Sequence, residues 1–302
     1  MTSRRDELVG GGLAASGALA YGVTVVIGRR LATSGLGSAE ALGARFTIAA
    51  LLLLAVVIVT RRPMLPAPGE RLRAVLLGGA GYAVESTFFF LALGQGTAAA
   101  ISLLFYSYPA MVAVSEAAMA RRWPSPRLAA AVALSAAGAA AVAASAGRVD
   151  VTGLGVVFAF TSAASFTAYL LAGERLMRRT DSLTTGAWVA AGAAASLATR
   201  ALLTGGIHLR AAHLPELGLY GLATAVAFTC MFAALRRIGP SRTAVVMTLE
   251  ALCAVVLGRI FLGEVIRPAA LGGGVAILAG ATVASLSRRA RPLPSGAALP
   301  SE

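Results

Sequence analysis

The sequence is poor in charged residues, and this shortage excludes a soluble globular protein. Only 13% of its 302 residues are charged, whereas soluble domains carry roughly 25%. The hydrophobic share is 58%, and the mean hydropathy is +0.79. The chain therefore has too little polar surface to cover a water-soluble fold. We interpret it as an all-α, polytopic membrane protein.

Cysteine and histidine are also scarce, and each shortage removes a class of chemistry. The cysteines, Cys230 and Cys253, fall inside apolar segments, so no disulfide framework or zinc-type spacing is present. The histidines, His208 and His213, lie in one predicted loop without a ligand partner. No Gly-rich phosphate loop, Ser/His/Asp set or acidic pair at a membrane surface appears. The sequence therefore predicts neither an enzyme nor a bound metal or cofactor.

Lysine is absent, so all 26 basic residues are arginines, and the net charge is +13. Such an excess can indicate a nucleic-acid-binding surface, but most of these arginines lie in the short gaps between apolar blocks. With a cytoplasmic amino terminus, 18 arginines fall in cytoplasmic segments and six in external ones. This bias is typical of membrane topology. We therefore expect both termini to be cytoplasmic, the partners to be lipid and a small-molecule substrate, and no nucleic acid to be bound.

Apolar blocks long enough to cross a hydrocarbon core of roughly 30 Å recur ten times. The predicted spans are 8–28, 39–60, 73–93, 97–120, 128–147, 151–173, 183–203, 214–235, 240–262 and 268–287. Residues 1–7 are expected to be a cytoplasmic amino terminus. Residues 288–302 are rich in Pro, Ser and Arg, which predicts a disordered cytoplasmic tail.

The first apolar block has a second interpretation as a secretory signal. A basic start and Ala18-Leu19-Ala20 imitate such a signal with its cleavage site. Asp6 and Glu7, however, dilute the basic region, and the apolar block continues to Ile27. We therefore interpret it as the first span.

The two halves of the chain are similar to each other. A shift of 142 positions aligns four pairs without a gap: Leu93 with Leu235, Tyr108 with Glu250, Met119 with Phe261, and Pro126 with Pro268. The predicted repeats are 8–147 and 151–287, each with five spans. Because five is odd, the second repeat enters the membrane in the opposite sense. Inverted repeats of this kind enclose a substrate site near the bilayer midplane in many secondary transporters.

Short motifs in both halves resemble the EamA type of the drug/metabolite transporter superfamily. In the second half they are Ile238-Gly239-Pro240-Ser241-Arg242-Thr243-Ala244, Leu249-Glu250 and Phe261-Leu262-Gly263-Glu264; in the first half they are Arg45-Phe46 and Tyr106-Ser107-Tyr108-Pro109. The resemblance covers residues 8–287. It implies a secondary transporter that exports amino acids or similar small metabolites across a bacterial inner membrane, as a monomer or homodimer. A lipid-linked or nucleotide-sugar cargo, or a non-transporting structural or receptor protein, is the alternative.

One carboxylate lies at membrane depth in the third span. An ionisable group there costs about 2.5 to 3.5 kcal/mol on insertion scales, so it normally faces protein or a wet cavity. Glu85 shares a helix face with Tyr82 and Phe89 because of their spacing of three and four residues. We expect Glu85 to line the central cavity, where it binds an amino group or exchanges a proton. The alternative is a carboxylate that only hydrogen-bonds neighbouring helices.

Further residues are candidates for the same cavity. Glu250 is mid-span in the ninth segment with Met247 on its face, and it either takes part in binding or braces the helix. Tyr108 is its repeat partner. The remaining candidates are aromatic residues within spans: Tyr106, Phe166 and Tyr169.

Two charged residues lie nearer the ends of their spans. Arg45 attracts an anionic group such as a substrate carboxylate, or else it reaches the outer interface or pairs with Glu40. Glu116 is close to the cytoplasmic end of the fourth span. It is expected to be interfacial, near Arg121 and Arg122.

Overall fold

The computed structural model describes residues 4–34, 36, 38–93, 95, 101, 104–121, 123–145, 151–177, 179–203, 211–262 and 268–286. These residues are almost entirely helical, and no β-strand occurs among them. The predicted tail, residues 288–302, lies outside the described residues, as do residues 1–3 of the predicted amino terminus.

The helices follow the predicted spans in order. They are α1 (Arg4–Thr33), α2 (Ser38–Val59), α3 (Arg71–Leu76), a π-helical segment (Leu77–Tyr82), α4 (Ala83–Leu93), α5 (Tyr108–Met119), α6 (Pro126–Ser145), α7 (Gly153–Leu176), α8 (Ser182–Leu203), α9 (Leu214–Ile238), α10 (Pro240–Met247), α11 (Leu249–Leu262) and α12 (Pro268–Leu286). A single 3₁₀ turn, Ala211–His213, precedes α9.

Six stretches of the described chain are long and apolar enough to cross a membrane. They are residues 5–28, 40–59, 153–176, 182–203, 211–238 and 240–261, and residues 126–141 and 271–284 form shorter apolar helices. The third predicted span is divided by the π-helical segment, and the fourth is only partly described. The prediction of an all-helical membrane protein is confirmed.

The third span is not the regular helix that its sequence predicted. The π-helical segment holds Gly78, Gly79 and Gly81, which carry no side chain to constrain the backbone. A Cβ on Gly78 would lie 1.9 Å from the carbonyl oxygen of Val189 in α8. The backbones of the two spans therefore meet directly, as small residues allow in membrane bundles.

The fourth and ninth spans each break near their middle. A turn at Tyr106 and Ser107 precedes α5, and Thr248 separates α10 from α11. Pro109, which has no N–H to donate, follows the first break. At the second break, the hydroxyl of Thr248 donates to the carbonyl oxygen of Val245 at 2.6 Å. The 142-residue shift that relates the repeats aligns residue 106 with residue 248, so the two breaks are equivalent.

The packing of the helices follows the symmetry of the two repeats. In one pair α1 packs against α9, and in the corresponding pair α7 packs against α4. Three further pairs, α2 with α8, α5 with α10 and α6 with α12, join equivalent spans of the two repeats. Exchange of the repeats maps this set of pairs onto itself. The fold is therefore a ten-span bundle made of two inverted five-span repeats.

The two ends of the bundle can be told apart from close contacts of α1 with α9. Gly10 lies against Ile238, and Gly28 lies against Tyr220. Ala284 of α12 shares a buried cluster with Ile238, so the start of α1 and the end of α12 are at the same end. We call this the terminal end. Arg242 and Glu7 form an ion pair at it, 3.5 Å apart.

Candidate functional site

A partly open cavity of about 450 Å³ lies between the two repeats. Its wall includes Tyr21 and Gly28 in the second half of α1, Arg45 near the start of α2 and Tyr220 near the start of α9. Each of these positions is in the half of the bundle away from the terminal end. Glu250, at the break between α10 and α11, lies deeper in the wall. The cavity thus begins near the middle of the spans and extends toward the end of the bundle opposite the terminal end.

Arg45 is buried in this wall, with 6% of its surface exposed. Its Nε donates to the Thr224 hydroxyl at 2.6 Å, and Nη1 donates to the Tyr220 hydroxyl at 3.2 Å. Nη2 is 3.5 Å from the Thr24 hydroxyl. The guanidinium also lies over two aromatic rings, 5.0 Å from the centroid of Phe46 and 4.6 Å from that of Tyr220. The side chain is therefore fixed in the cavity and does not extend to the outer interface.

Glu85 faces the cavity from α4 and is 7% exposed. The hydroxyls of Ser86 and Ser162 are each 3.3 Å from one of its carboxylate oxygens. Each hydroxyl has a single hydrogen, and each also has a nearer backbone carbonyl, at 2.7 Å for Ser86 and 3.2 Å for Ser162. The described residues thus satisfy this carboxylate only weakly.

Glu250 and Met247 enter the cavity from the break in the ninth span. Glu250 is the second residue of α11, and Met247 is the last residue of α10. Within the described residues the carboxylate of Glu250 has no hydrogen-bond partner, and it is only partly buried. The cavity therefore holds one buried cation and two carboxylates that the described residues do not neutralise by ion pairs.

Aromatic rings form much of the remaining surface and the floor. The ring centroid of Tyr82 lies 4.7 Å from that of Phe46 and 6.1 Å from that of Tyr169, which it meets edge-on. Tyr108 meets Phe166 edge-on at 4.9 Å. Edge-on pairs of this kind are a favourable arrangement of aromatic rings. The cavity wall is therefore largely apolar around its three charges.

Seven of the nine predicted site residues line the cavity. They are Arg45, Tyr82, Glu85, Tyr108, Phe166, Met247 and Glu250. Tyr169 does not line it, since it is 2% exposed and its ring packs against that of Tyr82. Its hydroxyl has no hydrogen-bond partner among the described atoms. Tyr106 does not line it either; it packs against a buried cluster of Ala139, Ala251 and Ile277.

The sequence-based selection missed most of the environment of Arg45. Thr24 lies on the preceding helix, α1, whereas Tyr220 and Thr224 lie on α9, more than 170 residues from Arg45 along the chain. A hydroxyl within an apolar helix gives little signal by itself, because it can satisfy itself on its own backbone. The only available signal was Arg45 itself, which needs polar partners when it is buried.

Beyond the cavity floor, the terminal end of the bundle is closed by contacts between α5 and α10. The Tyr108 hydroxyl donates to the carbonyl oxygen of Ala244 at 3.2 Å. The carboxylate of Glu116 accepts the Ser241 backbone N–H at 3.1 Å and also the Ser241 hydroxyl. Glu116 was predicted to be interfacial near Arg121 and Arg122. In the structure it is partly buried and caps the start of α10, because its span packs against the equivalent span of the other repeat.

The two halves of this fold each match one known family. The profile of the EamA-like transporter family matches residues 8–144 and 153–286. The chain belongs to the EamA-like transporter family. A structure described as "Crystal structure of protein" shares its fold, with a TM-score of 0.75 at 20% identity over 91% of this chain and 96% of the other. A search among curated proteins returns no match.

Membership of the EamA-like transporter family makes this protein a multi-pass membrane transporter of the drug/metabolite type. The described residues contain no group of three or more His, Cys, Asp or Glu side chains that could hold a metal ion. The charged residues in the cavity wall are Arg45, Glu85 and Glu250.

Proposed function

We propose that this EamA-like protein is a secondary transporter that exports amino acids or similar small metabolites across a bacterial inner membrane. Glu85 carries this proposal, because it is a buried carboxylate in the wall of a cavity between inverted repeats. A charge at this depth is costly unless it serves a ligand or a proton. The amino group of a metabolite would bind there when the carboxylate is ionised.

Transport is driven by a gradient, since the sequence contains no nucleotide-binding motif. Glu85 and Glu250 provide two sites at which a proton can replace the amino group of the cargo. Protonation removes the charge from a carboxylate. A neutral carboxyl group costs less free energy to bury when the cavity is closed and dry. Exchange of a proton for the cargo would thus couple export to the proton gradient.

Alternating access requires the terminal end to open while the far side of the cavity closes. The closed side is formed by α5 and α10, which belong to different repeats. Helix α5 begins just after the break at residue 106, and α10 ends just before the equivalent break at residue 248. Each break would let one half of its span move relative to the other half. Broken spans near a midplane site are a recurrent feature of secondary transporters.

The test is proton-driven exchange in proteoliposomes by wild-type protein and by Glu85→Gln. The amide cannot ionise but keeps the shape of the side chain, so we expect gradient-driven amino-acid flux to fall about tenfold or more, which corresponds to about 1.4 kcal/mol or more. Glu216→Gln is the matched control, because Glu216 pairs with Arg30 outside the cavity at 3.1 Å. Undiminished, pH-dependent flux by Glu85→Gln would remove Glu85 from the mechanism.

A further inference from the structure

Arg45 is a buried cation whose charge the described protein leaves without a carboxylate partner. Its surface is 6% exposed, and the described residues place no Asp or Glu in ion-pair contact with its guanidinium. Glu85 and Glu250 lie in the same cavity, but neither is in direct contact with the guanidinium. A buried cation gains most from an anion that contacts it directly, so the position next to Arg45 suits an anionic group from outside.

The contacts that Arg45 does make leave a defined part of it available. A guanidinium has five N–H donors, and three are directed at the hydroxyls of Thr24, Tyr220 and Thr224. The hydroxyls of Thr24 and Thr224 donate to carbonyl oxygens of their own helices at 2.7 and 2.8 Å, so both act as acceptors toward Arg45. One N–H remains on each terminal nitrogen. That pair suits bidentate binding of a carboxylate or phosphate.

The guanidinium is also held in place before any ligand arrives. It lies between the rings of Phe46 and Tyr220, and it contacts hydroxyls on both α1 and α9. Stacked, planar arginines lose little further freedom when they bind an oxyanion. Thr24, Tyr220 and Thr224 therefore act as positioning residues for Arg45.

The opposite charges lie in the same cavity. Glu85 and Glu250 line the wall together with Arg45, and Phe89, Phe105 and Phe166 supply apolar surface. A small molecule with an amino group, an anionic oxygen group and an apolar part would satisfy all three features.

We infer that Arg45 anchors the anionic oxygen group of the transported molecule, so that the cargo is a zwitterion and not a simple amine. This inference rests on the proposed function and adds a chemical requirement to it. A carboxylate or a phosphate monoester could supply the anionic group, and the probes below distinguish them.

The experiment measures uptake and binding of matched probes by the purified protein in proteoliposomes. The first set contains common amino acids, their amides and the corresponding decarboxylated amines. The second set compares β-alanine with O-phosphoethanolamine, which share the amine but differ in the anionic group. We expect the wild-type protein to bind acids about tenfold or more tightly than their amides and amines. Preference for one member of the second set identifies a carboxylate or a phosphate as the natural group.

Variants then assign this preference to Arg45. Arg45→Gln is expected to lose the acid preference, and Arg45→Lys to retain only part of it because it cannot bind in a bidentate manner. Thr224→Ala is expected to weaken acid binding roughly threefold to tenfold, and Thr224→Ser to restore it. Arg259→Gln is the matched control, since Arg259 is an exposed arginine within a span.

The outcomes separate this inference from the proposed function. Equal transport of acids, amides and amines by the wild-type protein overturns the role of Arg45 but leaves a transporter. An acid preference that persists in Arg45→Gln also overturns it. Transport of none of these probes by the wild-type protein overturns both proposals.

Discussion

Glycine residues at the crossings of helices decide how closely the two repeats approach. A Cβ on Gly192 would lie 2.2 Å from the carbonyl oxygen of Val75, reciprocal to the approach of Gly78 to Val189. At the crossing of α6 with α12, a Cβ on Gly280 would lie 2.8 Å from the carbonyl oxygen of Ala131. Each position has a backbone obstacle, which cannot move aside as a flexible side chain does, and at Gly280 the hydroxyl of Ser135 is nearer still. Any residue larger than glycine at these positions would require one of the two helices to shift.

Gly78→Ala is predicted to destabilise the protein. The added Cβ would collide with the carbonyl oxygen of Val189, and overpacking of this kind typically costs about 1 to 3 kcal/mol. Thermal unfolding in detergent should therefore show a lower Tm than that of the wild-type protein. Gly272→Ala is the control, because a Cβ there meets nothing within 4 Å. Equal Tm values for the two variants would contradict the close crossing of the third span with α8.

At the scale of single elements, the start of α10 is tied to α5 by a side chain from the other repeat. Glu116 accepts two hydrogen bonds from Ser241, and Tyr108 donates one to Ala244. The 142-residue shift pairs Glu116 with Gly258, which has no side chain to make the equivalent contact. The contact of Glu116 with Ser241 therefore has no equivalent at Gly258.

Glu116→Ala is predicted to shift the protein toward a state that is open at the terminal end. Hydrogen bonds to a charged acceptor contribute about 1.5 to 3 kcal/mol, so their loss should change the ratio of the two states about tenfold or more. Spin labels at Trp123 and Arg236, both exposed, would report a larger population of long distances. Glu116→Gln, which retains an acceptor oxygen, should give a smaller shift. A distance distribution that does not change would show that this contact does not hold the terminal end closed.

For the whole molecule, the inverted repeats place the cavity on one side and the closed contacts on the other. The start of α1 and the end of α12 are both at the closed end. The distribution of arginines predicts that this end is cytoplasmic. Together these observations predict a cavity that faces the external side of the membrane.

Val25 offers a direct check of this orientation, because it lines the cavity and is 36% exposed. In a background with Cys230 and Cys253 replaced by alanine, Val25→Cys is predicted to react with a membrane-impermeant maleimide added outside intact cells. A bound zwitterionic cargo should slow the reaction by occupying the cavity. Labelling that occurs only in inside-out vesicles would reverse the predicted topology.

Much of this molecule could be predicted from local patterns in its sequence. Runs of apolar residues predicted the helical spans, since a helix satisfies its own backbone in lipid and any 20 apolar residues can cross the membrane. Charges at membrane depth pointed to Glu85 and Glu250, because their desolvation is costly wherever they lie in the bundle. Arg45, nearer the end of its span, was a candidate with an interfacial alternative. The aromatic candidates were less reliable, since Tyr106 and Tyr169 do not line the cavity but pack against residues of its wall.

The sequence by itself thus determined the number, order and duplication of the spans, because these depend on hydropathy and internal similarity along the chain. Only the tertiary structure decided that Arg45 lies among hydroxyls of α1 and α9, that Glu116 caps α10, and that the third span contains a π-helical segment against α8. Apart from the contact of Arg45 with Thr24, which lies within the first repeat, each of these features arises where one repeat contacts the other. Contacts between segments 100 or more residues apart leave no periodic trace in either segment, so no local pattern could reveal them.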